Sequence, residues 1–132
     1  VLNVLYTNLQ YMTRDALNLT IPFPPSVNTY WGFKGSRRFL TSRATLFKTA
    51  VNAEFTRNGH DGFANKRLHI TIELYPPDKR IRDIDNVVKS TLDALCQCGV
   101  FDDDGQIDVL HVERKNVIKW GAAKIIIQTL VP

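Results

Sequence analysis

Apolar residues recur along the chain in two rhythms. From Lys66 to Tyr75 they alternate, with Leu68, Ile70, Ile72 and Leu74 on one side and His69, Thr71 and Glu73 on the other. A period of two is that of a strand with one buried face. The stretch from Asp15 to Phe23 alternates in the same way, setting Leu17, Leu19, Ile21 and Phe23 against Ala16, Asn18 and Thr20, which predicts a first strand. Between residues 84 and 96 the interval lengthens to three and four. Ile84, Val87, Val88, Thr91, Leu92, Leu95 and Cys96 gather on one helical face, opposite Arg82, Asp85, Asn86, Lys89 and Asp93. Another helix is predicted from a cap at Thr41 or Ser42 to about Arg57, with Phe47 and Val51 on its apolar side.

Prolines and glycines punctuate these elements. Pro22, Pro24 and Pro25 stop the first strand, Pro76 and Pro77 stop the second, and Asn58-Gly59-His60-Asp61-Gly62 breaks the first helix. Residues 24–42 read as a loop or short hairpin built on Gly32 and Gly35. Two β-rich runs, Gln106 to Lys115 and Ala122 to Val131, read as a hairpin or as adjacent strands joined through Ile118-Lys119-Trp120-Gly121. The order strand, loop, helix, strand, helix, strand, strand predicts an α+β (mixed α/β) fold, a single small domain whose mixed β-sheet carries two main helices on one face. With 132 residues, 44% of them hydrophobic, the chain is sized for one modest core. Residues 1–11 are read as an extension outside the fold, because the sole methionine is Met12, and residues 12–132 as the domain.

The formal net charge of +4 is mild, but its distribution is not. Lys34, Arg37, Arg38, Arg43 and Lys48 follow one another with no acid between them, a pattern suited to a polyanion. Tyr30, Trp31 and Phe33 are interleaved with these cations, and two readings stay open for them: stacking on nucleobases or closing one end of the core. Cys96 and Cys98 lie one residue apart, without a second pair or a histidine at metal spacing. They are expected as buried or half-buried thiols, not as a zinc site or disulfide. No apolar run approaches the roughly 20 residues of a membrane span.

Candidate chemistry concentrates between Lys79 and Asp104, KRIRDIDNVVKSTLDALCQCGVFDDD. Asp83 and Asp85 are two residues apart, which in a regular helix would set their side chains about 200° apart. They can address one ligand only if Asp83 lies outside the regular turn, and an N-cap role for Asp83 is predicted. Carboxylates in such a set suit a hard divalent cation. An acid among Asp102, Asp103 and Asp104 can supply a third ligand across the core, and since converging carboxylates repel one another, either a metal or basic neighbours must accompany them. Lys89, one turn beyond Asp85, is expected to pair with it, orient water or hold a phosphate. Plainer readings exist for each acid: helix capping for the pair, and a turn before a strand for the run. A calcium loop does not fit, since Val100 and His111 stand where ligands are required. No serine or cysteine is arranged with a histidine as a nucleophilic triad.

Three stretches, taken together, resemble a known family. Residues 21–31 (IPFPPSVNTYW), 77–89 (PDKRIRDIDNVVK) and 92–107 (with LDAL and then GVFDDDGQI) are similar in order to the RusA family of Holliday junction resolvases. The resemblance implies a homodimeric, Mg²⁺-dependent endodeoxyribonuclease, with Mn²⁺ as a substitute, that nicks opposing strands of four-way junction DNA in recombination and repair. It marks Asp83, Asp85 and Asp104 as catalytic, metal-binding acids, Lys89 as the catalytic lysine and Asp103 as a further acid. Lys34, Arg37, Arg38, Lys79, Arg80 and Arg82 are expected to contact DNA. A cytoplasmic protein of bacterial or phage origin, with no membrane partner, is implied. The alternative is a non-cleaving junction-binding or DNA-packaging accessory protein, and a third reading is a general metal-dependent nuclease.

Overall fold

The computed structural model describes residues 15–130, so the extension read at 1–11 and Met12 lie outside them. The elements run β1 (Ala16–Ile21), α1 (Val27–Tyr30), β2 (Trp31–Lys34), β3 (Arg37–Leu40), α2 (Ser42–Asn58), β4 (Leu68–Tyr75), α3 (Asp85–Gln97), a 3₁₀ turn (Asp104–Gln106), β5 (Ile107–Arg114) and β6 (Ala122–Thr129). The α+β expectation holds: a four-stranded mixed sheet in the order β1-β6-β4-β5 is accompanied by a separate β2-β3 hairpin.

Alternation dictates which face of the sheet is covered. Leu17, Leu19 and Ile21 of β1, Ile70, Ile72 and Leu74 of β4, and Ile125 and Ile127 of β6 are all buried. Ala44, Phe47 and Val51 of α2 and Val87, Leu92 and Leu95 of α3 join the same core. Thr41 caps α2, its hydroxyl accepting from the Ala44 N–H at 3.2 Å, which settles the choice between Thr41 and Ser42. The opposite sheet face carries Asn18, Thr20, Thr71, Glu73 and Lys124, none of them buried.

The expected pairing of the last two strands is not what forms. β4 sits between them, antiparallel to β6 and parallel to β5. The reason lies in apolar content. Every second residue of β4 is buried, so it belongs where both of its edges are paired, whereas β5 is mostly exposed and takes the outer position. A parallel β4–β5 pair needs a crossover, and α3 supplies it. The link from β5 to β6 then passes the end of β4, where Lys115 N–H donates to the Leu74 carbonyl at 2.7 Å and Ile118 N–H to the Pro76 carbonyl at 3.0 Å.

The segment at 24–42 resolves into a one-turn helix and a hairpin, registered Trp31 to Leu40 and Lys34 to Arg37. Its root is fixed by Tyr30, fully buried, whose hydroxyl donates to Gln97 Oε1 at 2.8 Å. The prolines before it are tied to α3 by the buried Ser90 hydroxyl, which lies 2.5 Å from the Pro25 carbonyl. A second seam holds the end of α3. Phe63 N–H donates to the Val100 carbonyl at 2.9 Å and Asp102 N–H to that of Ala64 at 3.1 Å. Gly62 makes this seam possible: at φ +91°, a Cβ there would lie 2.8 Å from the Gly99 carbonyl oxygen. Cys96 and Cys98 are free and half-buried, as expected, and burial raises both thiols above their ordinary range.

Candidate active site

The acidic residues gather around the two ends of α3. Asp83 lies just before the helix, outside its regular turns, but it is not a side-chain cap: Ile84 occupies the cap position and makes no side-chain cap bond. The helix opens instead on the Asp83 carbonyl, which accepts from the Asn86 N–H at 3.2 Å. The Asp83 carboxylate is therefore released from capping. Neither it nor Asp85 has a hydrogen-bond or ion-pair partner among the described residues. Both side chains are exposed at a helix N-terminus, where the dipole favours negative charge.

Past the far end of α3, Asp103 and Asp104 take different parts. Asp103 caps the 3₁₀ turn, its carboxylate accepting from the Gly105 N–H at 2.8 Å while Gln106 reaches back to the cap backbone. Gln106 is buried and fully used. Its Oε1 accepts from the N–H groups of Asp102 (3.1 Å) and Asp103 (2.8 Å), and its amide donates to the carbonyls of Ala64 (2.8 Å) and Lys66 (2.6 Å). The turn reading of the acidic run is thus met, and the turn aims Asp104 back at the helix. Asp104 Oδ2 lies 2.8 Å from Lys89 Nζ.

Lys89 does not pair with Asp85 as the spacing suggested. It bridges Asp104 and Asp93, the latter at 2.9 Å. Asp93 is pre-positioned because Trp31 Nε1–H donates to its other oxygen at 3.2 Å, so two fixed carboxylates outweigh one exposed acid at the start of the helix. The hydrogen bonds that Lys89 donates to Asp104 and then Asp93 hold its ammonium above its ordinary range, so it stays charged at any ordinary working pH. The Arg38 guanidinium stacks 3.8 Å above the Trp31 ring. An unbroken run of contacts therefore joins the basic hairpin to Asp104 through Trp31, Asp93 and Lys89. Asp93 is not among the site residues that the sequence marks, and Trp31 is marked there only as a stacking or core ring; the i, i+4 spacing of Lys89 and Asp93 is the available signal.

The expected meeting of Asp83, Asp85 and Asp104 is not made within the chain: among the described residues no three His, Cys, Asp or Glu side chains are close enough to hold a metal ion. Mutual repulsion of carboxylates disfavours it, and Lys89 draws Asp104 toward Asp93. The donor chemistry itself suits a hard divalent cation, since Asp83 and Asp85 are uncommitted carboxylates and Asp104 is partly exposed beside its lysine.

The interleaved aromatics divide between their two readings. Tyr30 is core, Trp31 is half-buried under Arg38, and Phe33 is 69% exposed. Lys34, Arg37, Lys79 and Arg80 are exposed. Arg82 is mostly committed to its own loop, at 2.8 Å from Asp78 Oδ1 and 3.2 Å from the Asp78 carbonyl.

Burial, reinforced by the charge of Asp93, pushes the Tyr30 phenol up to about 12 from an ordinary value of 10.0. The folded state holds this proton more tightly than the unfolded chain, so the associated stability is complete below pH 10 and is lost as pH rises through about 12. We expect thermal melts to fall across that window, with on the order of 2–3 kcal/mol at stake, and the fall to be shallower in Tyr30→Phe. Melts that decline equally in both proteins would show that the phenol is not responsible.

A family model described as Endodeoxyribonuclease RusA matches residues 22–128, which takes in the proline segment, the hairpin, α3 and the acidic turn. The chain belongs to this endodeoxyribonuclease family. It is 34% identical to the crossover junction endodeoxyribonuclease of Enterobacteria phage HK97 over 110 residues, 83% of this chain and 92% of that protein. It is 32% identical to the Escherichia coli protein of the same description over 114 residues, covering 86% and 94% of the two chains. The phage 82 protein is 30% identical over 113 residues, again 86% and 94%. Among the described residues no helix is long and apolar enough to cross a membrane.

Proposed function

We propose that this chain is a crossover junction endodeoxyribonuclease that nicks opposing strands of four-way DNA junctions with a divalent cation, Mg²⁺ or in its place Mn²⁺. One observation carries the reading: within the segment matched by the family model, two uncommitted carboxylates and a lysine-held third stand around one helix. The acids that would hold the ion are Asp83 and Asp85, joined by Asp104 once the ion's own charge offsets the repulsion that otherwise keeps it on Lys89, and a bound ion would supply an activated water and charge stabilisation at the phosphate. Lys89 keeps a fixed positive charge beside Asp104, where a phosphate oxygen can take up part of it. Asp93 and the Trp31 N–H hold that lysine on the face it must present. Lys34 and Arg37 on the hairpin, with Lys79 and Arg80 before α3, grip the flanking backbone, and Arg82 shapes the loop that carries the latter two.

Two related cuts need two sites, and a two-fold dimer provides them with one acid set per chain. The outer position of β5 supports such an assembly: among the described residues one of its edges has no strand partner, and Val109 and Leu110 are 38% and 42% exposed on its opposite faces. The protein is expected to work in the cytoplasm.

The test compares a synthetic four-way junction with linear duplex at matched salt, with and without Mg²⁺, since phosphate contacts alone are strongly salt-dependent. Paired nicks in the junction only, and only with the cation, are expected. Equal cutting of both substrates would point to a general nuclease, and tight junction binding without nicks to an accessory protein.

A further inference from the structure

A cleft of about 700 Å³ opens directly beside Asp83, within the usual size range of ligand pockets. Its walls combine aromatic and aliphatic side chains with charged and polar ones. Phe23, Leu46, Ile81 and Trp120 all line it, and the last three are 73%, 100% and 83% exposed. Large apolar side chains this bare, set around one concavity, mark a binding surface more often than a solvated one. Arg43, Arg80 and Arg82 add positive charge to the lining, and Asn86, in the first turn of α3, adds a side-chain amide able to donate and accept.

Trp120 is the unusual member. Its backbone φ is +72°, the left-handed region that a bulky residue enters only at an energetic penalty. The turn holding it there is over-determined. Ile118 N–H is bonded to the Pro76 carbonyl and Gly121 N–H to the Ile118 carbonyl, both at 3.0 Å. The Gly121 backbone sits so close to Phe23 and Pro77 that a Cβ would lie 2.9 Å from one and 3.0 Å from the other. Strain kept by its surroundings, at a residue whose side chain is left in solvent, points to a use for that side chain.

From this geometry we propose that the cleft receives an unstacked nucleobase of the DNA strand whose phosphate lies at Asp83, with Trp120 as the stacking platform. The proposal rests on the nuclease reading and deepens it. A base plane suits the aromatic and aliphatic walls, its flanking phosphates suit Arg43 and Arg80, and the Asn86 amide can meet a base edge. A phosphate alone would leave the apolar walls unused. The branch point of a four-way junction is where a base can leave its stack at least cost.

The experiment is a coupling cycle between protein and substrate. Junction affinity is measured for a non-cleaving Asp85→Asn background, with and without Trp120→Ala, on intact junctions and on junctions carrying single abasic sites scanned through the branch. Trp120→Ala is expected to weaken binding of the intact junction about tenfold. One abasic position should weaken binding to the parent protein by a similar factor, and the two changes together should weaken it no more than either alone. Trp120→Phe, which keeps a ring, should restore the coupling. Independent, multiplying losses at every position, or no loss from Trp120→Ala in a protein with unchanged melting temperature, would overturn the subsite. Coupling observed in a protein whose wild type never nicks junctions would sink the nuclease reading and keep the subsite. Absence of junction binding altogether would end both.

Discussion

Asp85→Asn is expected to lower Mg²⁺-dependent nicking of a four-way junction by on the order of 10²–10³-fold while leaving junction binding intact or slightly tighter. The amide matches the carboxylate in size, so the first turn of α3 should form as before, and no described residue loses an ion-pair partner. What disappears is one hard anionic oxygen donor at an exposed helix start. Removing negative charge near DNA phosphates also relieves repulsion, so the affinity change should be small and favourable. Single-turnover nicking, together with filter or gel-shift binding at one salt concentration, separates the two quantities. Undiminished nicking would remove Asp85 from the chemistry. Loss of binding and nicking together would mean that the residue shapes the DNA surface and not the reaction.

Gln106→Leu should destabilise the protein by about 3 kcal/mol and abolish nicking even in the folded fraction. The side chain is buried and makes four hydrogen bonds to backbone groups, two on the acidic turn and two on the 64–66 loop. Leucine fills a similar volume but satisfies none of these groups, and a buried N–H or carbonyl stripped of its partner costs more than a hydrogen bond contributes on average. The 3₁₀ turn is the only described element that presents Asp104 to Lys89. When it loosens, the acid and the lysine should part. Denaturant unfolding gives the stability change, and nicking per folded molecule gives the rest. A destabilised variant with full activity per folded molecule would show that Asp104 finds its place without the turn.

Much of this architecture could be read from local patterns. The alternation in β4 and the three-and-four spacing in α3 each report which side of an element faces the core. Hydrophobic burial acts on every residue of an element separately, so the pattern survives in the linear order. Thr41 as a cap, the proline stops and the half-buried thiols are local in the same sense. So is the separation of Lys89, Asp85 and Asp93 from the apolar face of their helix.

Pairings were another matter. The placement of β5 beside β4 and away from β6, the release of Asp83 from capping, and the engagement of Lys89 with Asp93 and Asp104 all depend on which distant segments become neighbours. Asp93 gains its importance only when Trp31, 62 residues away, donates a hydrogen bond to it. Gln106 looks like any polar residue at a strand start until the 64–66 loop folds over it. The Trp120 cleft likewise draws its walls from the proline segment, α2, the loop before α3 and the last turn.

Residue order alone therefore established the class of fold, the faces of its main elements and the residue types able to bind a cation or a phosphate, because each follows from periodicity and side-chain chemistry. Folding in three dimensions chose the partners: which carboxylate meets the lysine, which aromatic ring stays in solvent, which strand takes the outer place beside β4. Those choices come from competition among long-range contacts, and no stretch of the chain carries them by itself.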